Sequence, residues 1–174
     1  FFKGLGTQAS RVTRLEKIAC RMNKNLYNLS ARDISLAARV CKADLVSSTV
    51  NEFPELQGIM GGYYAIHSGE EAEVAQAIKD HYRPAFAGDS LPSGDVGAII
   101  AVADKLDTII GCIGVGLIPS GSEDPYGLRR HALGILQIVL DRGWQISFQN
   151  TLEASLNLIE KKAKLDKDEI KKYV

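Results

Sequence analysis

The sequence predicts an all-α fold, a helical bundle of about seven helices. Apolar residues recur at spacings of three and four along most of the chain, which is the period of an amphipathic helix. The alternating pattern of a half-buried strand is almost absent. The chain has 174 residues, of which 45% are hydrophobic, so it is long and apolar enough to bury one core.

The first two predicted helices lie near the N-terminus. The apolar stripe of the first helix is Leu15, Ile18, Ala19, Met22 and Leu26. Ser30 and Asp33 can cap the second helix, because short polar side chains accept hydrogen bonds from first-turn N–H groups. The stripe of the second helix is Ile34, Ala37, Ala38, Cys41 and Leu45.

Proline and serine mark the limits of the third and fourth helices. Pro54 suits the first turn of a short third helix, where a backbone N–H is not needed. The apolar residues of this helix are Leu56, Ile59 and Met60. Ser68 with Glu71 can open the fourth helix, and Pro84 closes it because proline cannot continue a helix. The stripe of the fourth helix is Val74, Ala77, Ile78 and Tyr82.

Residues 85–95 form a loop rich in glycine, proline, serine and aspartate, and the fifth helix follows it. Its stripe is Val96, Ile99, Ile100, Ala103, Leu106 and Ile110. Asp124 and Pro125 have the order of a cap and first-turn pair for the sixth helix, which Gly143 can end. The stripe of the sixth helix is Leu128, Ala132, Ile135, Leu136 and Val139.

We predict a helical domain at residues 1–150 and a C-terminal helical segment at residues 151–174. The seventh helix runs from about Thr151 into a lysine-rich end, where Asp166 and Glu169 have the spacing of a capping box. The chain ends soon after this helix start, and it begins without a methionine or a secretory signal. We therefore expect a fragment of a longer polypeptide, with the C-terminal segment leading to its next domain.

Composition narrows the function classes. The 21 basic and 21 acidic residues cancel, so only a local patch could bind RNA. The longest apolar run, residues 109–118, is about half of the roughly 20 residues that cross a bilayer, so we expect no membrane partner. Cys20, Cys41 and Cys112 have no CxxC spacing, which favours reduced, buried thiols in a cytosolic protein.

Acidic residues interrupt two apolar regions. Asp104 and Asp107 lie on one face of the fifth helix in the motif ADKLDT, and Asp44 lies on the second helix at the edge of its apolar stripe. Half-buried carboxylates need a partner, which can be a cation, a metal or N–H donors. One hypothesis is pairing with basic residues such as Lys42, Lys105, Arg129 and Arg130. The alternative is a helical metal site.

Metal sites that catalyse reactions of phosphate groups usually combine aspartate and histidine ligands. His67, His81 and His131 are the three histidines, and none is near Asp44 or Asp104 in sequence. We expect a structural or surface role for each. His81 falls at a helix end, where a cation is favoured.

Several long motifs carry a family resemblance: ARVCKADLVSSTVNEFPELQGIMGGYYAIHSGE, HYRP, AVADKLDTIIG and GLIPSGSEDPYGLRRHALGIL. In this order they resemble the β subunits of bacterial glycyl-tRNA synthetase, in the part that is similar to the HD superfamily of phosphohydrolases. The resemblance covers the chain from about residue 1 to about residue 143. It implies an HD-domain-like bundle.

The HD superfamily builds its metal site from His, then His-Asp, then a later Asp. On this sequence the resemblance places these positions near Phe2, on Ala43 and Asp44, and on Asp104, so both histidines are missing. Two carboxylates alone hold a divalent ion poorly. We expect a degenerate site without a metal, with Asp104 held by a basic group. A metal-dependent phosphohydrolase is the less favoured alternative.

The family implies a role in a ligase. Its β subunit joins an α subunit that carries the aminoacylation site, and the complex attaches glycine to its tRNA using ATP in the cytoplasm. The resemblance implies that this part handles tRNA near the acceptor end, beside the other β-subunit domains, without catalytic residues or a bound cofactor. Consistent with that, the chain has no GxxxxGK phosphate loop. A structural docking module is the second alternative.

Candidate RNA contacts combine arginines and aromatic rings: Arg129, Arg130, Tyr126, Tyr63 and Tyr64. Arginine binds phosphate in a fork, and aromatic rings stack on unpaired bases. The competing interpretation is that Arg129 pairs with Asp104 or Asp107 and that Tyr63 or Tyr64 fills the core. We expect such a structural role for at least one residue of the arginine pair and one of the tyrosine pair. A basic band at the C-terminus is interpreted as a solvated helix surface. It consists of Lys161, Lys162, Lys164, Lys167, Lys171 and Lys172.

Overall fold

The computed structural model describes residues 4–27, 29–120, 123–159 and 163–173, and within these ranges the regular secondary structure is helical. The α-helices are α1 (Gln8–Leu26), α2 (Ala31–Val40), α3 (Ser48–Glu52), α4 (Ile59–His67), α5 (Ala72–Asp80), α6 (Asp95–Gly114), α7 (Leu128–Asp141), α8 (Phe148–Ile159) and α9 (Lys167–Lys171). Two 3₁₀ turns cover Ala43–Val46 and Pro54–Leu56. The all-α prediction is confirmed.

Helix α6 forms the centre of the molecule. It is buried from Val96 to Gly114 and contacts α1, α2, α5, α7, α8 and α9. A helix that is apolar on all sides is stable only when neighbours cover all of them. The predicted stripe of the fifth helix is therefore part of a fully enclosed helix, and ADKLDT lies inside the bundle.

The chain around Asp44 and Ser68 departs from the predicted elements. The second helix ends at Val40 instead of continuing to Leu45, and a 3₁₀ turn carries Asp44 towards the start of α4. Ser68 does not open a helix, because its N–H donates to carbonyls at the end of α4. Helix α5 therefore begins only at Ala72.

The sixth predicted helix begins later than expected. Residues 124–127 form a turn, and Asp124 accepts hydrogen bonds from the N–H groups of Leu128 (2.8 Å) and Arg129 (2.9 Å). Asp124 thus caps α7 from four residues before it begins, with Gly127 at a positive φ of 65° between them. Gly143 follows the end of α7 with a φ of 61°, as predicted.

The predicted seventh helix is two helices, α8 and α9. The capping box of Asp166 and Glu169 is confirmed at the start of α9. Cys41 and Cys112 are buried and Cys20 is partly buried, and all three are free thiols. Among the described helices, none combines the length and apolarity needed to cross a membrane.

Candidate functional site

Asp104 lies at the centre of a buried ion network. Its Oδ1 accepts a hydrogen bond from Arg11 Nη2 at 2.8 Å, and its Oδ2 accepts one from Lys42 Nζ at 3.0 Å. Arg11 Nη2 also donates to Thr108 Oγ1 at 2.8 Å. Burial alone would raise the pKa of Asp104, but the two cations hold this pKa well below its usual value. Asp104 is therefore ionised and fully paired.

Asp107 is bound by arginines of helix α1, the helix that also carries Arg11. Arg14 donates from Nε to Oδ1 at 2.6 Å and from Nη2 to Oδ2 at 2.9 Å, which is a bidentate pair. Arg11 Nε lies 3.8 Å from Asp107 Oδ2 and links the two carboxylates. Helix α1 therefore supplies one buried cation, Arg14, and one partly buried cation, Arg11, to helix α6.

The sequence identified only one of these partners. The predicted pairing of a buried aspartate with Lys42 is confirmed, whereas Arg129 does not pair with either aspartate. Arg11 and Arg14 were missed because they lie 93 residues away from their partners. They continue the apolar face of α1 at helical spacing before Leu15, and this position on a buried stripe was the available indication.

Lys42 connects Asp104 to His81 and Tyr82. His81 Nδ1 lies 2.6 Å from the carbonyl oxygen of Ile78, so we assign the proton to Nδ1 as donor. His81 Nε2 then accepts from Lys42 Nζ at 2.8 Å. Burial, followed by the charge of Lys42, lowers the pKa of His81 to about 3. The structural role of His81 is confirmed, but the expectation that it favours a cation is wrong, because the ring is buried against an ammonium.

Tyr82 rests on this network. Lys42 Nζ lies 3.7 Å from the centre of the Tyr82 ring, and the His81 ring is 3.9 Å away between centroids. Lys105 adds a second support, since its Nζ donates to the backbone carbonyls of Tyr82 (3.2 Å) and Arg83 (2.7 Å). The predicted pairing of Lys105 with a buried aspartate is therefore replaced by backbone contacts that fix the segment around Tyr82.

Asp44 fixes a different segment. Its Oδ2 accepts from the backbone N–H groups of Gly58 (2.6 Å) and Gly61 (3.2 Å) at the start of α4. Gly58 has a φ of 78°, and a Cβ at Gly61 would lie 2.8 Å from Ile78 Cγ2. The buried carboxylate and the glycines together fix the position at which the loop containing Glu55 and Gln57 joins α4.

The residues that the resemblance predicts at the HD positions do not fit a divalent metal. Ala43 has no donor side chain, Phe2 lies outside the described residues, and both oxygens of Asp104 are bound by cations. Asp44 offers only Oδ1, a buried oxygen without a hydrogen-bond partner in the described structure. In the described ranges no three His, Cys, Asp or Glu side chains are grouped to hold a metal. An ammonium at Asp104 repels a metal ion and supplies no ligand to it.

The segments fixed by these buried charges border one surface cleft of about 440 Å³. Three parts of the chain that are distant in sequence form its walls. They are the loop after α3, the segment after α5 and the turn that enters α7. The lining residues are Glu55, Gln57, Tyr82, Pro84, Ala85, Pro125, Tyr126, Gly127, Arg130 and His131.

One wall of the cleft is basic and aromatic. Arg130 folds over Gly127, where a Cβ would lie 3.4 Å from its guanidinium, and Nη1 lies 3.5 Å from the carbonyl oxygen of Ala85. Tyr126 adds an aromatic ring. Burial, followed by the charge of Lys105, lowers the pKa of His131 to about 4, so this imidazole is neutral at pH 7. Arg130 supplies the positive charge of this wall.

The other candidate RNA contacts lie apart from this cleft. Arg129 lines a separate cleft of about 230 Å³ with apolar neighbours. Tyr63 and Tyr64 on α4 are 58% and 38% exposed, so the expectation that one of them fills the core is wrong. The Tyr63 ring instead contacts Lys79 Nζ, 4.2 Å from its centre. Of the predicted basic band, Lys161 and Lys162 lie outside the described residues.

Comparison with known sequences identifies the family of the chain. A family model of the glycyl-tRNA synthetase beta subunit matches residues 1–174. A glycine–tRNA ligase beta subunit from Citrifermentans bemidjiense is 49% identical over 98% of this chain and 25% of its own length. Those of Geobacter sulfurreducens and Oceanobacillus iheyensis are 52% and 47% identical, over 91% and 92% of this chain and 23% and 24% of theirs. The chain thus spans about a quarter of the length of these relatives. The chain belongs to the glycyl-tRNA synthetase beta subunit family.

Proposed function

We propose that this chain is a noncatalytic, tRNA-handling part of a glycyl-tRNA synthetase beta subunit. In this role it supports the ATP-dependent attachment of glycine to its tRNA in the cytoplasm, together with the α subunit and the other β-subunit domains. The chain itself binds no cofactor. The observation that carries the proposal is the cleft lined by Arg130 and Tyr126 together with residues of the motifs FPELQGIMG and HYRP.

The chemistry of the cleft suits an unpaired RNA end. Its volume of about 440 Å³ is in the range of small-molecule pockets, which suits a single unpaired nucleotide. Arg130 can bind a phosphate, while Tyr82 and Tyr126 offer rings for stacking. The buried ions beneath Tyr82 keep this surface in place before RNA arrives. These properties favour the acceptor end over a helical stem.

The test measures binding of a glycine tRNA transcript by fluorescence anisotropy over a range of salt concentrations. Arg130→Ala should weaken binding and reduce the slope of log K against log salt by about 1, because one phosphate contact is lost. Arg32→Ala is the matched control, since Arg32 is exposed on α2 and, among the described residues, its ion pairs are with Asp33 and Glu70, away from the cleft. Equal affinities and slopes for the two variants would contradict the proposal.

A docking module is the second candidate function, and helix α7 favours it. Leu133, Leu136 and Leu140 lie on one face of this helix and are 61%, 48% and 79% exposed. Another β-subunit domain could cover such a stripe. If the chain bound no tRNA at any salt concentration, this second function would account for the domain better than the first.

A further inference from the structure

We infer that the groove between helices α1 and α8 binds backbone phosphates of duplex RNA, as a second RNA contact separate from the cleft. The identity of this RNA as a tRNA rests on the proposed function. The groove has a volume of about 120 Å³ and shares no lining residue with the cleft. Its lining residues are Lys17, Ile18, Arg21, Thr151, Ser155 and Leu158. Neither cation was singled out by the sequence.

Helix α1 carries an excess of positive charge. It has five basic residues and one acidic residue, Glu16. Arg11 and Arg14 are used inside the bundle, where they bind the aspartates of α6. Glu16 accepts a hydrogen bond from the Ser35 hydroxyl of α2. Three basic residues of α1 therefore remain outside the buried network, and they are Lys17, Arg21 and Lys24.

These three cations are exposed and unpaired. Within the described part of the chain, none of their side chains takes part in an ion pair or a hydrogen bond. By contrast, the exposed cations Arg32 and Lys171 pair with Glu70 and Glu153. Glu153 is the one acidic residue of α8, and its contact with Lys171 leaves the α8 wall of the groove without a carboxylate. The positive charge beside the groove is thus available to an anion.

The spacing of the cations suits a phosphate backbone. Lys17, Arg21 and Lys24 are four and three residues apart, so they lie on one face of α1 and span about 10 Å along its axis. A nucleic-acid backbone presents phosphates at short, regular intervals, and each phosphate that a cation neutralises releases bound counterions. Arg21 can bind a phosphate in a fork, and lysine binds one as a point charge.

The lining of the groove favours duplex RNA over the alternatives. Among the described residues that line it, none is aromatic, so it offers no ring on which an unpaired base could stack. Duplex RNA is instead recognised largely through its backbone. An acidic protein is the other polyanion of suitable charge, but protein interfaces are centred on apolar and aromatic residues and are depleted of lysine. Ile18 is buried and Leu158 is only partly exposed, so the groove lacks such a centre.

The experiment measures binding of a blunt, double-stranded RNA, which has no unpaired end for the cleft, by fluorescence anisotropy over a range of salt concentrations. Lys17→Gln/Arg21→Gln should weaken binding and reduce the slope of log K against log salt by about 2, because two phosphate contacts are lost. Both side chains are exposed, so the variant should keep the wild-type midpoint of thermal unfolding.

Arg32→Gln/Arg39→Gln is the matched control, since it removes two exposed cations of α2 that do not line the groove. Its slope should stay close to that of wild type, and equal slopes for the two double variants would overturn the inference. If the blunt duplex does not bind while binding of glycine tRNA depends on Arg130, the inference is wrong and the proposed function stands. If tRNA binding depends on the two α1 cations but not on Arg130, the groove contact stands and the proposed cleft contact is wrong. Displacement of the duplex by polyglutamate as effectively as by RNA of equal charge would assign the groove to an acidic protein and overturn the inference.

Discussion

Asp104→Asn should strongly destabilise the chain. The substitution keeps the shape of the side chain but removes the charge that compensates Arg11 and Lys42, both of which are largely buried. Breaking a buried ion pair by removing one partner costs about 3–5 kcal/mol, because a charge remains buried without compensation. At about 2–4 °C per kcal/mol for a domain of this size, the melting temperature should fall by roughly 6–20 °C.

Urea unfolding followed by circular dichroism measures this loss directly. The matched control is Asp141→Asn, which removes a half-exposed carboxylate at the end of α7 and should change the free energy of unfolding by less than about 0.5 kcal/mol. The double variant Asp104→Asn/Lys42→Met also removes the buried ammonium that Asp104 neutralises, so it should be less destabilised than the sum of the single variants. A loss below about 1 kcal/mol for Asp104→Asn would refute the argument that this carboxylate neutralises buried charge.

Three further predictions concern the same scaffold. Because His81 keeps a pKa of about 3 when folded and an ordinary value near 6.5 when unfolded, the unfolded chain binds an extra proton between these values, and stability falls as pH decreases. His81 should account for a decrease of about 2 kcal/mol in the free energy of unfolding between pH 7 and pH 5, measured by urea unfolding. His81→Gln should reduce this decrease, whereas the control His67→Gln, at an exposed position, should leave it unchanged. Gly62→Ala should cost about 1–3 kcal/mol, because its Cβ would lie 2.8 Å from a backbone carbonyl of α5, whereas Gly94→Ala, with open space around it, should be tolerated. Asp124→Ala should cost about 1 kcal/mol in the same assay through loss of the α7 cap, and an unchanged midpoint would contradict that capping role.

The periodicity of the sequence predicted most helices, because burial of one face repeats every three or four residues. It failed where tertiary contacts override local pattern. The apolar phase of α2 continues to Leu45, yet Asp44 leaves the helix to bind two N–H groups of α4. Ser68 and Glu71 have the order of a cap, but the N–H of Ser68 is used by the end of α4.

The candidate site was predicted in part. The sequence predicted half-buried carboxylates at Asp44, Asp104 and Asp107, all three of which are buried, but only Asp104 and Asp107 lie on the predicted helix; Lys42 was among the named partners. The cleft itself could not be predicted, because Glu55 and Arg130 come from segments whose meeting depends on the packing of the whole bundle. The buried carboxylates could therefore be identified from the sequence, whereas the cleft that they border could be identified only from the three-dimensional structure.

A double-mutant cycle tests most directly whether this cleft contacts the unpaired end of tRNA. The cycle combines Arg130→Ala with removal of the unpaired 3′ nucleotides and measures all four dissociation constants at one salt concentration. If Arg130 binds the unpaired end, removal of that end should weaken binding to wild-type chain but have little further effect on Arg130→Ala, which corresponds to a coupling of about 1 kcal/mol or more. Independent, additive losses would contradict it, because they would place Arg130 on another part of the tRNA.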